Sequence, residues 1–119
     1  MRRRAAKVDA NQPDIVDAFR ACGLSVAITS AAGQGFPDLV VGGYGVNALV
    51  EVKDGNKSPS RRALTGCQLE FRDEWRGWYE IVESVAQAVD LAARMRVAGG
   101  ALSRLTSSHE FVTVEVGEL

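Results

Sequence analysis

Two short apolar runs joined by a glycine-rich connection constrain this chain more than anything else in it. Asp38-Leu39-Val40-Val41-Gly42 and Ala48-Leu49-Val50-Glu51-Val52-Lys53 have the length and β-branched content of strands, and Gly43-Tyr44-Gly45-Val46-Asn47 between them is a turn region. The pattern predicts a hairpin. Side chains alternate across a strand, so Ala48, Val50 and Val52 share one face and Leu49, Glu51 and Lys53 the other. The first face is wholly apolar and suits burial under a helix. The second sets an acid beside an amine at the strand end. Asp38 opens the neighbouring strand. If it faces Glu51 or Lys53, the three side chains lie on one side of the sheet; if it faces Val52, Asp38 lies on the other side unless a bulge intervenes.

Helices and two more strands surround this hairpin. Asn11 is placed to cap a first helix with Pro13 in its first turn, and Ile15, Val16, Phe19 and Cys22 mark its apolar face up to Gly23. Residues 25–29 read as a strand and 30–37 as a loop. Residues 54–64 read as a basic loop. Thr65 begins a second helix with Gln68 completing a capping box, its apolar surface coming from Leu69, Phe71, Trp75 and Trp78 until Gly77 breaks it. Trp75 and Trp78, at i and i+3, are expected in the core. Residues 79–82 read as a strand. Ser84 caps a third helix through Val85, Val89, Ala92 and Met95, stopped by Gly99-Gly100. After a polar stretch, residues 111–116 alternate as an extra strand would. The expected fold is α/β, a mixed sheet flanked by helices in the order α-β-β-β-α-β.

Composition narrows the chemistry. With 119 residues, 46% of them hydrophobic, the chain has material for one packed domain. No window approaches the roughly 18 uninterrupted apolar residues of a membrane span. Arg2, Arg3 and Arg4 resemble a signal-peptide start, but no apolar stretch follows, so the chain is expected to stay where it is made. Cys22 and Cys67 are far apart, and His109 is the only histidine and sits in a polar tail. A disulfide framework, a Cys/His zinc site and a histidine-based triad are therefore not expected. Any chemistry must come from carboxylates, lysine, arginine and a metal.

Charge is unevenly spread. Residues 1–62 carry net +3 and residues 63–119 net −4. The positive charge gathers in Arg2, Arg3, Arg4 and Lys7, and in Lys57, Arg61 and Arg62 just after Lys53. Two such clusters suit a localised anion-binding face, or merely a solvated arm and a solvated loop.

Asp38, Glu51 and Lys53 have a chemical use if they meet. The two acids offer hard oxygen ligands to Mg²⁺, which would polarise a phosphodiester oxygen and acidify water. Lys53 would orient that water or steady the charge growing on phosphorus. The same residues also fit an ordinary solvated strand edge, because Glu-x-Lys alone is a common pattern.

The wider context is more specific. Gly35-Phe36-Pro37-Asp38-Leu39-Val40-Val41-Gly42 followed by Leu49-Val50-Glu51-Val52-Lys53-Asp54-Gly55 resembles the core motif of PD-(D/E)XK nucleases, whose fold is restriction-endonuclease-like. It is most similar to the small stand-alone VRR-NUC-type nucleases of phages and prophages, related to Holliday-junction resolvases. Val8-Asp9-Ala10-Asn11-Gln12-Pro13-Asp14-Ile15-Val16 and Leu64-Thr65-Gly66-Cys67-Gln68-Leu69-Glu70-Phe71 extend the likeness, which covers residues 7–97.

The chain is thus read as a basic arm over 1–8, a domain over 9–98 that the resemblance makes a nuclease, and a tail over 99–119 with room for an extra strand and no counterpart in the family core. The resemblance implies Asp38 and Glu51 as metal ligands, the Val52 carbonyl as a further ligand and Lys53 as the catalytic lysine. Gln68 matches a polar position facing the site, although the capping box alone also accounts for it. The family's first-helix glutamate falls on Gln12, with Asp9 and Asp14 nearby, and a neutral amide gives a cation less charge. Phe36 and Tyr44 lie on loops near the strands, placed for packing or turn contacts and less for stacking on a base.

The expected activity is Mg²⁺-dependent hydrolysis of DNA phosphodiesters, with Mn²⁺ as a substitute. The substrate implied by the family is branched DNA, and the implied assembly is a homodimer in the cytoplasm, that of a host if the protein is phage-encoded. Arg2, Arg3, Arg4, Lys7, Lys57, Arg61 and Arg62 would contact phosphates, giving affinity without base specificity. Two other readings stay open: a DNA-binding module that keeps the fold without catalysis, and an anion-binding protein unrelated to DNA.

Overall fold

The computed structural model describes residues 8–108. Arg2, Arg3, Arg4, Lys7, His109 and the strand expected over 111–116 lie outside the described residues.

The expected α/β order is present. Helix α1 spans Gln12–Ala21, strand β1 Ser25–Ile28, β2 Leu39–Gly43 and β3 Val46–Val52. A one-turn helix α2 covers Pro59–Arg62, followed by α3 at Gly66–Glu74, β4 at Tyr79–Val82 and α4 at Val85–Ser108. The four strands form one mixed sheet in the order β1-β2-β3-β4. β1, β2 and β3 pair antiparallel, while β4 joins β3 parallel, the connection that carries α3.

The hairpin closes as its residues require. Gly43 pairs with Val46, leaving a two-residue loop of Tyr44 (φ 57°) and Gly45 (φ 79°). Two consecutive left-handed residues make the turn whose twist matches antiparallel strands.

The apolar face of the hairpin is the floor of the core. Leu39, Val41, Ala48, Val50 and Val52 are buried there with Val82, under Ile15, Val16 and Phe19 of α1 and Ala88, Leu91, Ala92 and Met95 of α4. The buried face of α1 is the one expected from its spacing. That of α4 is rotated from the expected one: Val85 and Val89 are exposed, and Ala88, Leu91 and Met95 face inward at i, i+3 and i+7.

Several further expectations are corrected. Helix α4 does not stop at Gly99-Gly100 but runs through them to Ser108. A glycine inside a helix costs about 1 kcal/mol, yet a β-carbon on Gly99 would sit 2.3 Å from the Tyr44 carbonyl oxygen. The absence of a side chain is what lets α4 lie against the hairpin turn. Residues 54–64 are not all loop, since Pro59 starts α2, and residues 30–37 begin with a turn of 3-10 helix over Ser30–Ala32. Helix α3 ends at Glu74, before Gly77. Trp75 is therefore its C-cap and 44% exposed, and Trp78 lies beyond the helix, half-buried against the core. Among the described residues no helix is long and apolar enough to cross a membrane.

Candidate active site

Register decides what the second face of the hairpin can do. Leu39 pairs with Val50, so the next position along sets Asp38 opposite Glu51. Asp38 Oδ2 accepts from the Val52 backbone N–H at 2.9 Å, which holds its carboxylate over β3. The Val52 carbonyl shares that strand edge with its own N–H, beyond the last ladder pair. The alternative pairing with Val52, which would have parted the acids, does not occur.

Helix α3 brings the fourth group. Its capping box is formed: Thr65 Oγ1 accepts from the Gln68 N–H at 3.3 Å, and Gln68 Oε1 accepts from the Thr65 N–H at 2.9 Å. The same Oε1 also accepts from Lys53 Nζ at 2.9 Å, and Gln68 Nε2 donates to Glu51 Oε2 at 3.0 Å. The two readings of Gln68 are thus compatible, because the cap fixes the side chain that spans Glu51 and Lys53. Lys53 Nζ lies 3.8 Å from Glu51 Oε2. The loop before β2 is pressed against this helix: Gly35 (φ 79°) has its missing β-carbon 2.3 Å from the Cys67 carbonyl oxygen, a space only glycine leaves.

Burial makes the cluster electrostatically tense. Glu51 is 2% exposed. Removal from water, then the Asp38 carboxyl close enough to share a proton, push the Glu51 carboxyl up to about 8, with Asp9 adding to the rise and Lys53 opposing it. Glu51 Oε1 is buried without a hydrogen-bond partner, and so is Oε1 of Gln12, a residue 4% exposed. Gln12 Nε2 donates to Ser30 Oγ at 3.1 Å, and Ser30 Oγ to the Asp38 carbonyl at 3.5 Å, so Gln12 is tied to the Asp38 segment.

Orphaned buried acceptors, one on Glu51 itself and one on the Gln12 side chain tied to the Asp38 segment, suit a small hard cation. The donors that fit are the carboxylates of Asp38 and Glu51, the Gln12 amide oxygen, the Val52 carbonyl and water. Among the described residues no three of His, Cys, Asp and Glu are grouped as ligands. The set is therefore two acids supplemented by neutral oxygens, a weaker cage than three carboxylates.

The second basic cluster is only partly free. Lys57 Nζ pairs with Asp9 at 3.4 Å. Arg62 donates to the Lys57 carbonyl at 2.9 Å and pairs with Glu83 at 3.4 Å. Arg61 is exposed on α2. These partners keep Lys57 and Arg62 at the end of β3, on the rim that Asp9 shares, and reduce the charge they offer to solvent.

Three supporting residues escape sequence reasoning. Asn11 makes no side-chain cap; its Nδ2 donates instead to the carbonyls of Lys53 at 3.0 Å and Glu83 at 3.1 Å, fastening the ends of β3 and β4 to α1. Thr29 grips the other strand, its N–H donating to the Asp38 carbonyl and its hydroxyl to the Pro37 carbonyl, both at 2.7 Å. Ser30 links Gln12 to Asp38 as described. Polar residues at strand and helix ends are the only sequence signal these three carry. Phe36 packs edge-on against Phe71 at 5.3 Å, and Tyr44 makes a turn contact through its hydroxyl to the Cys22 carbonyl at 3.5 Å. Tyr79 sits on the site's face of β4, its hydroxyl buried without a partner and its phenol pushed up to about 12 by burial and then by Glu51.

No family model, no curated protein and no solved structure matches the chain.

Proposed function

We propose that the protein is a metal-dependent deoxyribonuclease of the PD-(D/E)XK type, hydrolysing DNA phosphodiesters with branched or structured DNA as substrate. The observation that carries this reading is the meeting of Asp38, Glu51, Lys53 and Gln68 on one face of the sheet, three of them within hydrogen-bonding or ion-pairing reach of one another. A buried acid with an unsatisfied oxygen, set beside a second, half-buried acid, is unfavourable by itself, and structural needs alone give no reason to keep it.

Each residue has a part. Asp38 and Glu51 hold the cation, assisted by Gln12 and the Val52 carbonyl. Mg²⁺, when bound, supplies the Lewis acidity that phosphodiester hydrolysis needs. Gln68 holds Glu51 Oε2 with its amide N–H and Lys53 Nζ with its amide oxygen, so acid and ammonium keep a fixed spacing. Lys53, 9% exposed, presents its remaining N–H groups to the attacking water and to the phosphoryl oxygens as negative charge grows on them. Lys57 and Arg61 at the rim, with the arginines before residue 8, attract the phosphate backbone.

The test compares a four-way junction with a matched linear duplex, in Mg²⁺ or EDTA, for wild type and Lys53→Ala. Cutting is expected only with metal, with junction favoured over duplex, and the variant is expected to be slower by about 100-fold or more. Folded protein that binds DNA but never cuts it, with Mg²⁺ or Mn²⁺, overturns the enzyme reading in favour of a binding module.

A further inference from the structure

An aromatic row leads outward from the site. Phe36, two residues before Asp38, packs edge-on against Phe71 of α3, with ring centroids 5.3 Å apart and planes at 73°. Phe71 in turn lies parallel to Trp75, with centroids 5.5 Å apart and planes at 15°. Tyr79 supports Phe71 from the sheet at 6.3 Å. The indole is thus pre-stacked on one side, yet Trp75 remains 44% exposed. With one ring face covered, that exposure belongs to the other face and the edge.

Scattered exposed apolar residues are ordinary on any surface. A flat, supported indole with one face open is a more particular object, because a second flat ring can complete the stack at little entropic cost. Gly77 helps: a β-carbon there would sit 2.8 Å from the indole nitrogen. Gln68, Phe71, Arg72 and Trp75 share one side of α3 by helical periodicity, so Trp75 lies about 10 Å along the helix from the site residue Gln68. One cation lies on that side and another follows the helix end. Arg72 is exposed and paired only with the exposed Asp73, and Arg76 is exposed with no ion pair among the described residues. Glu70 and Glu74 lie on the adjoining side, where with Gln34, Cys67 and the shared Phe71 they line a cavity of about 360 Å³. Phosphates are disfavoured beside those acids, which leaves the Arg72 side the more accessible to a DNA strand.

We propose that the open face of Trp75 stacks on an unpaired nucleobase of the DNA, a short way along the strand from the bond that is cut. The inference rests on the nuclease reading and sharpens its substrate: DNA with an unstacked base at a fork, flap or overhang is preferred to continuous duplex, whose bases offer no free face.

The test separates binding from cleavage. Binding is measured in EDTA with a forked duplex, the same fork with abasic sites in its unpaired arms, and a blunt duplex of equal length. The fork is expected to quench indole emission in wild type. Trp75→Leu is expected to weaken fork binding about tenfold, and several times more than it weakens blunt-duplex binding. Trp75→Phe, which keeps a flat ring on Phe71, is expected to restore most of the fork affinity. Trp75→Phe also leaves Trp78 as the only indole and is expected to lose the quench. In wild type, abasic arms are expected to reproduce the Trp75→Leu loss. A folded Trp75→Leu protein that binds the fork like wild type, or loses fork and blunt duplex equally, overturns the proposal. So does a wild type that does not distinguish abasic from normal arms. Quenching and fork preference without any cutting in Mg²⁺ would leave the stacking site standing and remove the nuclease reading alone.

Discussion

Replacing Glu51 by glutamine is expected to stabilise the metal-free protein while abolishing cleavage. The wild-type carboxylate is buried against Asp38 with Oε1 unpartnered, and its ionisation is resisted up to about pH 8. A glutamine of the same shape still accepts from Gln68 through one oxygen and turns an N–H towards Asp38 in place of a like charge. At pH 9 in EDTA the melting temperature of Glu51→Gln is expected to rise by about 3–8 °C, and cutting in Mg²⁺ to fall at least about 100-fold. Thermal denaturation and a junction-cleavage assay check the two halves. A melting temperature that falls instead would mean that the carboxylate is needed for folding. The positions of Asp38, Glu51 and Lys53 were legible in the sequence because strand alternation has a period of two, leaving only the register open. Gln68 was legible as a cap and, through the resemblance, as a polar position facing the site, but its two-sided grip on Glu51 and Lys53 was not. Nor were the bonds of Asn11, Thr29 and Ser30, since each joins elements whose relative placement no local pattern encodes.

Glycines in α4 separate local preference from packing. Read along the chain, Gly99-Gly100 is a stop, and intrinsic propensity supports that reading. The helix continues because Gly99 meets the backbone of Tyr44 in the β2–β3 turn. Gly99→Ala is therefore expected to destabilise by about 1–3 kcal/mol despite its better helix propensity. Gly100→Ala, whose β-carbon would come no nearer than 3.6 Å to the Arg104 guanidinium, is expected to stabilise by up to about 1 kcal/mol. Urea denaturation of both variants tests the pair, and equal signs would contradict the close approach at Gly99. The same competition explains the rotated face of α4 and the exposure of Trp75. Apolar spacing told that these segments have a buried side, but the sheet decided which one. The hairpin, by contrast, was legible to within a residue except at the start of β3, which begins at Val46 and not Ala48 because the turn closes on Tyr44 and Gly45 alone.

Folding and protonation are coupled in the whole domain through Glu51, and the proposed cation would join that coupling. Without metal, the folded carboxyl titrates near 8 and the unfolded one near its ordinary 4.5. Between those values the native state holds a proton that the unfolded chain has released, so this group's contribution is fully present below about pH 4.5 and lost as pH rises through about 8. The slope cannot exceed about 1.4 kcal/mol per pH unit. Glu80, held below its ordinary 4.5 by the Arg94 guanidinium, works in the opposite sense but only at lower pH, so the two windows do not overlap. Bound at the proposed site, Mg²⁺ would remove the slope, because it needs the ionised carboxylate and the native and unfolded chains then both lack the proton. Its binding is expected to release close to one proton at pH 6–7, and its affinity to fall by up to about tenfold for each pH unit below about 8. Urea midpoints measured at pH 5, 6.5 and 8 in EDTA should decline with pH in wild type and stay flat in Glu51→Gln over that interval. In saturating Mg²⁺ the wild-type midpoints should become flat over the same interval, so that the gain over EDTA grows with pH, and titration calorimetry in two buffers of different ionisation enthalpy should count the released proton. Mg²⁺ stabilisation that is independent of pH, or equal in Glu51→Gln, would place the cation somewhere other than between Asp38 and Glu51.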